Sequence, residues 1–156
     1  MLRSRAMVFE TQPFTSVAKS VSSGTTTKRE PRGRYPLYGS TGQISRTDRN
    51  EFTGPSILVA RVGANAGSVY VVDGSYGVTD NTLVVRLSPG HNQSFFAQYL
   101  EHAELNRMVY GSGQPLVTGS MLKSLDVPAV VPAEQARVAG ALDDVDRLIT
   151  TLERLI

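Results

Sequence analysis

The last 24 residues carry the feature that most constrains the fold, a row of aliphatic side chains with the spacing of a coiled coil. The row reaches the final residue without a glycine or proline stop, so we expect a helical surface that a small monomer cannot easily cover and that docks onto a partner. The alternative is that this helix folds back onto its own domain. The row steps by 4, 3, 4, 3 and 4 residues through Val138, Leu142, Val145, Ile149, Leu152 and Ile156.

Composition limits the remaining choices. A chain of 156 residues with 40% hydrophobic content can fill one core. The absence of cysteine excludes disulfides and thiolate metal sites. Neither a signal peptide nor a run of about 18 apolar residues is present in the sequence, which predicts a soluble, cytoplasmic protein without a membrane partner.

The middle of the chain predicts a compact, mainly β unit. Three aliphatic runs are separated by glycine-rich turns. They occupy residues 57–62, 68–72 and 82–87. Near the start, Phe14, Val17, Ala18 and Val21 stand at helical spacing and predict a short amphipathic helix.

After Ser94 the apolar period changes to three and four residues, which predicts a helix ending near Arg107. One helical turn at 121–125 and an extended, proline-containing stretch at 127–132 follow. We therefore predict an α+β protein. Residues 1–132 form a mainly β domain with short packed helices, and residues 133–156 form a C-terminal coiled-coil helix.

Charge is distributed unevenly. Residues 1–34 hold seven Lys or Arg against two acids, whereas residues 133–156 hold three against five. Lys28, Arg29, Arg32 and Arg34 fall within seven residues beside glycine and proline, which predicts a mobile cationic loop. Such a loop suits a polyanion such as DNA, and the alternative is an ordinary solvated loop.

Four glycine- and proline-rich segments occur in an order that resembles a known family. They are residues 35–42 (YPLYGSTG), 57–67 (ILVARVGANAG), 111–115 (GSGQP) and 125–135, which opens with LDVP and closes with PAEQ. Together with the terminal helix they resemble the DNA-specificity subunit of type I restriction–modification systems, from about Phe14 onward.

The resemblance implies a domain that reads one half of a split site in double-stranded DNA and has no catalytic centre of its own. Methyltransferase subunits are the implied partners, with a restriction subunit as a further candidate, and these partners carry methylation and cleavage. With one recognition domain and one spacer helix, the sequence looks like half a subunit. It either pairs with itself, giving a homodimer on a symmetric site, or is a fragment or partner of another half.

Candidate DNA contacts divide by chemistry into two groups. Cations for phosphates are Lys28, Arg29, Arg32 and Arg34, supported by Arg46, Arg49 and Lys123. Polar residues in or beside glycine loops are the candidate base readers. These are Ser40, Thr41, Arg61, Asn65, Tyr76, Asn81, Ser112 and Gln114. The alternatives are a surface ion pair for Arg61, a turn former for Asn65, a strand-end cap for Asn81 and a core position for Tyr76.

Other chemistry finds little support in the sequence, and we predict no catalytic residue, metal or cofactor. The glycine loop at 63–67 lacks the Lys-Ser/Thr pair of a phosphate cradle. His91 and His102 lack acids at zinc-ligand spacing, and the acids at 143–146 suit a solvated helix face. Two rival functions stay open: a dimerising scaffold that does not read DNA, and a small hydrolase that uses the glycine loops.

Overall fold

The computed structural model describes residues 10–108, 113 and 115–156. Ten strands precede the terminal helix, and three α-helices lie in the second half of the chain. The strands are β1 Thr11–Pro13, β2 Ala18–Ser23, β3 Tyr35–Gly39, β4 Gly42–Thr47, β5 Phe52–Thr53, β6 Ser56–Ala60, β7 Val69–Val72, β8 Ser75–Val78, β9 Thr82–Leu87 and β10 Asp126–Pro128. The helices are α1 Gln93–His102, α2 Gly119–Lys123 and α3 Pro132–Glu153.

A central antiparallel sheet in the order β2-β9-β6-β7 forms the middle layer. Its two faces are both covered. Ile57 and Val85 belong to the core that includes Phe96 of α1, whereas Leu58 and Val84 pack with Tyr76 on the opposite side. Burial on both faces explains why the β6 sequence is continuously apolar instead of alternating.

The second sheet, in the order β4-β3-β8-β5, supplies the layer that contains Tyr76. Here β3 pairs parallel with β8, and β3 and β4 form a hairpin that closes between Gly39 and Gly42. Gly42 has a φ of 104°, a left-handed conformation that a side chain would disfavour. A separate pair, β1 with β10, brings the start of the described chain beside the residues that lead into α3.

The terminal helix α3 docks onto the head, residues 10–131, through its first three turns. Gln135 and Ala139 are buried, and the Asp143 carboxylate accepts a hydrogen bond of 2.9 Å from Gln98 of α1. Every residue after Asp143 is exposed. The exposed fraction along the aliphatic row rises from 36% at Val138 to 52% at Val145. Val138 and Leu142 line a cleft against α1, and only the part of the row after Asp143 is not folded back onto its own domain.

The α+β architecture and the long C-terminal helix predicted from the sequence are confirmed. Strand β9 has the predicted bounds, and β7 and α1 begin within one residue of expectation. The predicted boundary after residue 132 stays a prediction. No helix in the described part of the chain is both long and apolar enough to span a membrane.

The amphipathic helix predicted around Phe14 to Val21 is wrong. A single 3-10 turn at Phe14–Ser16 is followed by β2. A β-bulge between Ala18 and Ser20 shifts the register against β9, so Ala18 and Val21, three residues apart, both turn inward. The bulge therefore produces the three-residue step that resembles helical spacing.

Candidate nucleic-acid interface

Two loops from different sheets face each other across a cleft of about 510 Å³ that polar and apolar side chains line together. The β3–β4 turn contributes Ser40 and Thr41, and the β6–β7 loop contributes Asn65. Tyr70 lines the same cleft and donates its hydroxyl hydrogen to the Gly39 carbonyl, which ties β7 to the β3–β4 turn. Burial raises the pKa of Tyr70, so this donor keeps its proton at neutral pH.

Arg61 organises the neighbouring turn between β8 and β9. Its Nη1 donates to Ser23 Oγ and to the Asp80 carbonyl, each at 3.0 Å. Its backbone N–H donates to the Asn81 carbonyl at 2.9 Å. Arg61 is thus fixed by a hydroxyl and a carbonyl instead of the surface ion pair considered above, and its buried Nε finds no acceptor among the described residues.

A third loop approaches Arg61 from the second half of the chain. Leu116 forms a β-bridge with Val62, and the Val117 N–H donates to the Arg61 carbonyl at 2.8 Å. The chain at Leu116 and Val117 is therefore anchored at this end of the head. Ser112 and Gln114, the two candidate base readers of that segment, lie outside the described residues.

The cationic segment near residue 28 is anchored to the second sheet, unlike the mobile loop expected from its composition. The Glu51 carboxylate accepts hydrogen bonds from the Thr25 N–H and Oγ1, both at 2.7 Å, and from Thr26 Oγ1 at 2.5 Å. At the other end, a Cβ on Gly33 would lie 2.5 Å from the backbone of Thr47. Only glycine lets the segment pack so closely there.

Glu51 is an electrostatic anchor for this segment. Its partial burial raises its pKa, but the hydrogen bonds from Thr26 and Thr25 and the backbone N–H of Val78 outweigh that effect and leave the pKa lowered. The carboxylate is therefore ionised near neutral pH and holds the segment through charge-assisted hydrogen bonds.

The cations of the segment differ in what they contact. Lys28 pairs with Glu30 at 2.6 Å, which raises the pKa of Lys28. The pKa of Glu30 is lowered, mainly by the hydrogen bond from Lys28 and secondly by the hydrogen bond from the Asp48 N–H. Arg29, Arg32 and Arg34 have exposed side chains.

The three supporting cations lie in different settings. Arg46 donates to the carbonyls of Gly33 and Arg34, both at 2.6 Å, so its guanidinium is engaged by the fold. Arg49 donates to the Thr25 hydroxyl at 2.9 Å. Lys123 is exposed at the end of α2, apart from this segment.

Tyr76 is not placed where it can read a base. Its side chain is fully buried, and its hydroxyl lies 2.6 Å from Ser56 Oγ and 3.1 Å from the Gly54 carbonyl. Tyr76 therefore occupies a core position, which was the alternative interpretation of this residue. By contrast, Asn65 and Asn81 are exposed.

Two polar residues absent from the sequence-based list, Gln43 and Ser68, line the cleft between the turns. Each directly follows a glycine of one of the two loops, Gly42 or Gly67, and that position was the signal that could have identified them.

Within the described residues, no group of three or more His, Asp or Glu side chains is arranged to hold a metal ion. Two neighbouring acids of α3 have protein partners instead. Asp143 accepts from Gln98, and Asp144 pairs with Arg147 at 2.9 Å. His91 Nδ1 lies 3.1 Å from Gln135 Nε2, and His102 Nδ1 lies 2.9 Å from the Gln98 carbonyl.

The head resembles solved domains in both topology and extent. The S subunit of a type I restriction–modification system from M. genitalium matches with a TM-score of 0.73 at 19% identity, over 99% of this chain and 43% of that chain. The HsdS subunit from Thermoanaerobacter tengcongensis matches with a TM-score of 0.73 at 15% identity, over 96% of this chain and 40% of that one. The fold of this chain thus matches about two fifths of each of these two subunits.

Sequence comparison agrees with the fold. The model of the type I restriction modification DNA specificity domain matches residues 9–156, and the chain belongs to this family. The specificity subunit of the type I restriction enzyme EcoprrI from Escherichia coli is 26% identical over 125 residues, which are 80% of this chain and 31% of that protein. The chain thus spans less than a third of this curated relative. The role of the family is DNA sequence recognition, and the family is not catalytic in itself.

Proposed function

We propose that this chain reads one half of a bipartite DNA site with the end of its head where three loops meet. These are the β3–β4 turn, the β6–β7 loop and the chain at Leu116 and Val117, which pairs with Val62 and Arg61. The single observation that carries the proposal is this convergence. Hydroxyl, amide and guanidinium groups that are scattered between residues 40 and 81 lie at one end of two packed sheets.

The proposed contacts fall into the two classes that DNA recognition requires. Ser40, Thr41, Arg61, Asn65 and Asn81 face base edges, and Ser112 and Gln114 join them. Arg29, Arg32 and Arg34 bind phosphates, with support from Lys28, Arg46 and Lys123 where their internal partners are exchanged for DNA. The hairpin β3–β4 separates its turn from Arg34 by about 17 Å, at roughly 3.3 Å per residue, so one duplex can engage both ends.

We further propose that α3 pairs two heads. Its 22 residues make a rod of roughly 33 Å, close to the 34–36 Å of one DNA turn. An antiparallel pair of such rods holds the heads about one turn apart. The exposed row from Val138 to Ile156 supports this pairing, because burying it removes aliphatic surface from water.

In this proposal residues 1–132 are the recognition unit and residues 133–156 the spacer. Methyltransferase subunits carry the chemistry in the cytoplasm, with a restriction subunit as a further candidate partner, and the chain itself has no cofactor. A second copy of the chain is the proposed partner of α3, which would make the recognised site symmetric.

Selection from random duplexes tests the proposal. The purified chain, alone and with a methyltransferase subunit, is incubated with a library, and bound DNA is sequenced over several rounds. We expect enrichment of two short inverted motifs separated by a fixed unread spacer. Recovery of unenriched DNA under both conditions, together with binding that does not depend on salt, would favour the scaffold function instead.

A further inference from the structure

A second cleft, of about 440 Å³, lies at the opposite end of the central sheet from Arg61. Three basic side chains from three different segments line it, and no aspartate or glutamate does. They are Lys19 of β2, Arg86 of β9, and His91 of the loop before α1. Among the described residues, none of the carboxylates forms an ion pair with any of them.

The β-bulge in β2 is what shapes this cleft. Ala18 faces Leu87 and Ser20 faces Arg86, so Lys19 is the extra residue of the bulge. Bulges redirect side chains and recur beside functional sites. Here the bulge places a lysine next to an arginine on the neighbouring strand. Like charges across a strand pair are destabilising, and a bound anion would remove that cost.

Hydrogen bonds hold the other two basic groups in position. Arg86 Nη2 donates to the Thr53 carbonyl at 2.5 Å, which fixes the guanidinium at the edge of the cleft. The Gln135 Oε1 accepts from the Asn92 N–H at 2.9 Å, so its Nε2 is the end that faces His91 Nδ1. Nδ1 is then an acceptor, and the ring proton of neutral His91 is on Nε2.

The location of the cleft indicates which anion it takes. His91 contacts the first turn of α3, so the cleft lies on the side of the head from which the spacer helix departs. Arg86 is four residues along β9 from Thr82, the partner of Ala60, and thus about 13 Å from the base-reading end at ~3.3 Å per residue. In a dimer paired through α3, this side faces the DNA between the half-sites.

We propose that the cleft formed by Lys19, Arg86 and His91 binds a backbone phosphodiester of the unread spacer DNA. This inference rests on the proposed function. It adds a contact that contributes affinity without sequence information and that orients the head relative to the spacer. The ligand is a phosphate group carried by duplex DNA, and a free phosphate ion is the other source of the same chemistry.

The test measures DNA affinity against salt concentration for the full chain with its selected duplex. Lys19→Gln and Arg86→Gln should each weaken binding by about threefold to tenfold per protomer. Each should also reduce the slope of log K on log salt by about one for each protomer bound. The loss should be equal for selected and unselected duplexes. Arg154→Gln, which removes an exposed cation at the C-terminal cap of α3, is the matched control and should change neither quantity.

Backbone neutralisation identifies the phosphate. A single methylphosphonate is placed at each spacer position in turn. The wild type should bind more weakly only when the methylphosphonate is at one particular position in each half of the spacer. The same positions should have no further effect on Lys19→Gln. Because Lys19 is exposed, this variant should keep the wild-type thermal midpoint, and Lys19→Glu should weaken binding further.

Three outcomes overturn the inference and are distinguishable. If Lys19 and Arg86 variants keep the wild-type salt slope while Arg29→Ala with Arg32→Ala flattens it, DNA reading stands and the cleft is not a DNA contact. If inorganic phosphate shifts the His91 resonances but the variants bind DNA normally, the cleft takes a free anion. If the wild type binds no duplex, the proposed function fails and this inference fails with it.

Discussion

The buried side-chain amide of Gln135 accepts a hydrogen bond from the backbone N–H of Asn92 at 2.9 Å and so fastens the terminal helix to the start of α1. The same amide donates to the Val130 carbonyl at 2.7 Å. The Gln135 side chain therefore joins α3 to the loop before α1 and to the segment between β10 and α3.

Replacing Gln135 by alanine should loosen this junction. The Asn92 N–H and the Val130 carbonyl would lose their partner, which typically costs about 1–3 kcal/mol per buried group. Chemical denaturation should show a lower free energy of unfolding. Hydrogen exchange should rise in the first turns of α3 and around Asn92. Arg137→Ala, at an exposed site two residues away, should change the stability little, and equal losses in both variants would contradict the special role of Gln135.

The exposed aliphatic row should control assembly. Leu142→Asp with Ile149→Asp places two charges in the proposed seam, where each lost aliphatic contact is worth roughly 1.5–3 kcal/mol. Analytical ultracentrifugation should show a dimer for the wild type and a folded monomer for the double variant. Thr150→Asp with Thr151→Asp adds the same charges on the outer face and should remain dimeric. A wild type that is monomeric at high concentration would rule out self-pairing and leave only a different partner.

Glu51 should make the head sensitive to acid. Its pKa is lowered in the folded state, so its contribution to stability is fully present above the unfolded-state value of about 4.3. That contribution is lost as the pH falls through the lowered value. Glu51→Gln should reduce the free energy of unfolding near pH 7 by about 1–3 kcal/mol. The difference from wild type should narrow on acidification, as followed by thermal melts between pH 7 and pH 3. Glu101→Gln, which removes an exposed carboxylate on α1, serves as the control.

Phosphate binders and base readers should respond differently to mutation. Arg29→Ala with Arg32→Ala should weaken binding to all duplexes equally and lower the salt slope by about two for each protomer bound. Gln114→Ala should instead change the preference among selected sequences, by about 1–3 kcal/mol at one base position. Competition binding against a panel of single-base variants measures both effects. If Gln114→Ala weakens every duplex to the same extent, Gln114 does not read a base.

Tyr76→Phe tests the assignment of Tyr76 to the core. Losing the hydroxyl next to Ser56 and Gly54 should cost about 1 kcal/mol of stability, and the panel of single-base variants should show an unchanged preference. A changed preference without a change in stability would return Tyr76 to the recognition surface.

The strands were predictable because their signal is local. The aliphatic run of β9 and the glycines that bound it give its position directly, and the 3.6-residue period gives α1. The short helix predicted at Phe14 failed because a bulge in β2 produces the same spacing. That bulge depends on pairing with β9, more than 60 residues away, which no local pattern contains.

The candidate site was predictable only as a set of residue types. Glycine loops with polar residues indicated Ser40, Asn65 and Arg61, but their grouping depends on the parallel pairing of β3 with β8 and on the bridge between Val62 and Leu116. These are long-range contacts. The cleft at Lys19 and Arg86 gave no sequence signal, because the two residues meet through strand pairing alone.

The short attachment of α3 makes it a lever. Fourteen residues of α3 extend beyond Ala139 to Glu153, an arm of roughly 21 Å at 1.5 Å per residue. A tilt of about 10° where Gln135 and Ala139 seat the helix displaces the tip by roughly 3.5 Å, which is one base-pair step along a strand. The stiffness of this joint, which contacts no base, would thus determine how precisely the two heads fix the number of base pairs between the half-sites.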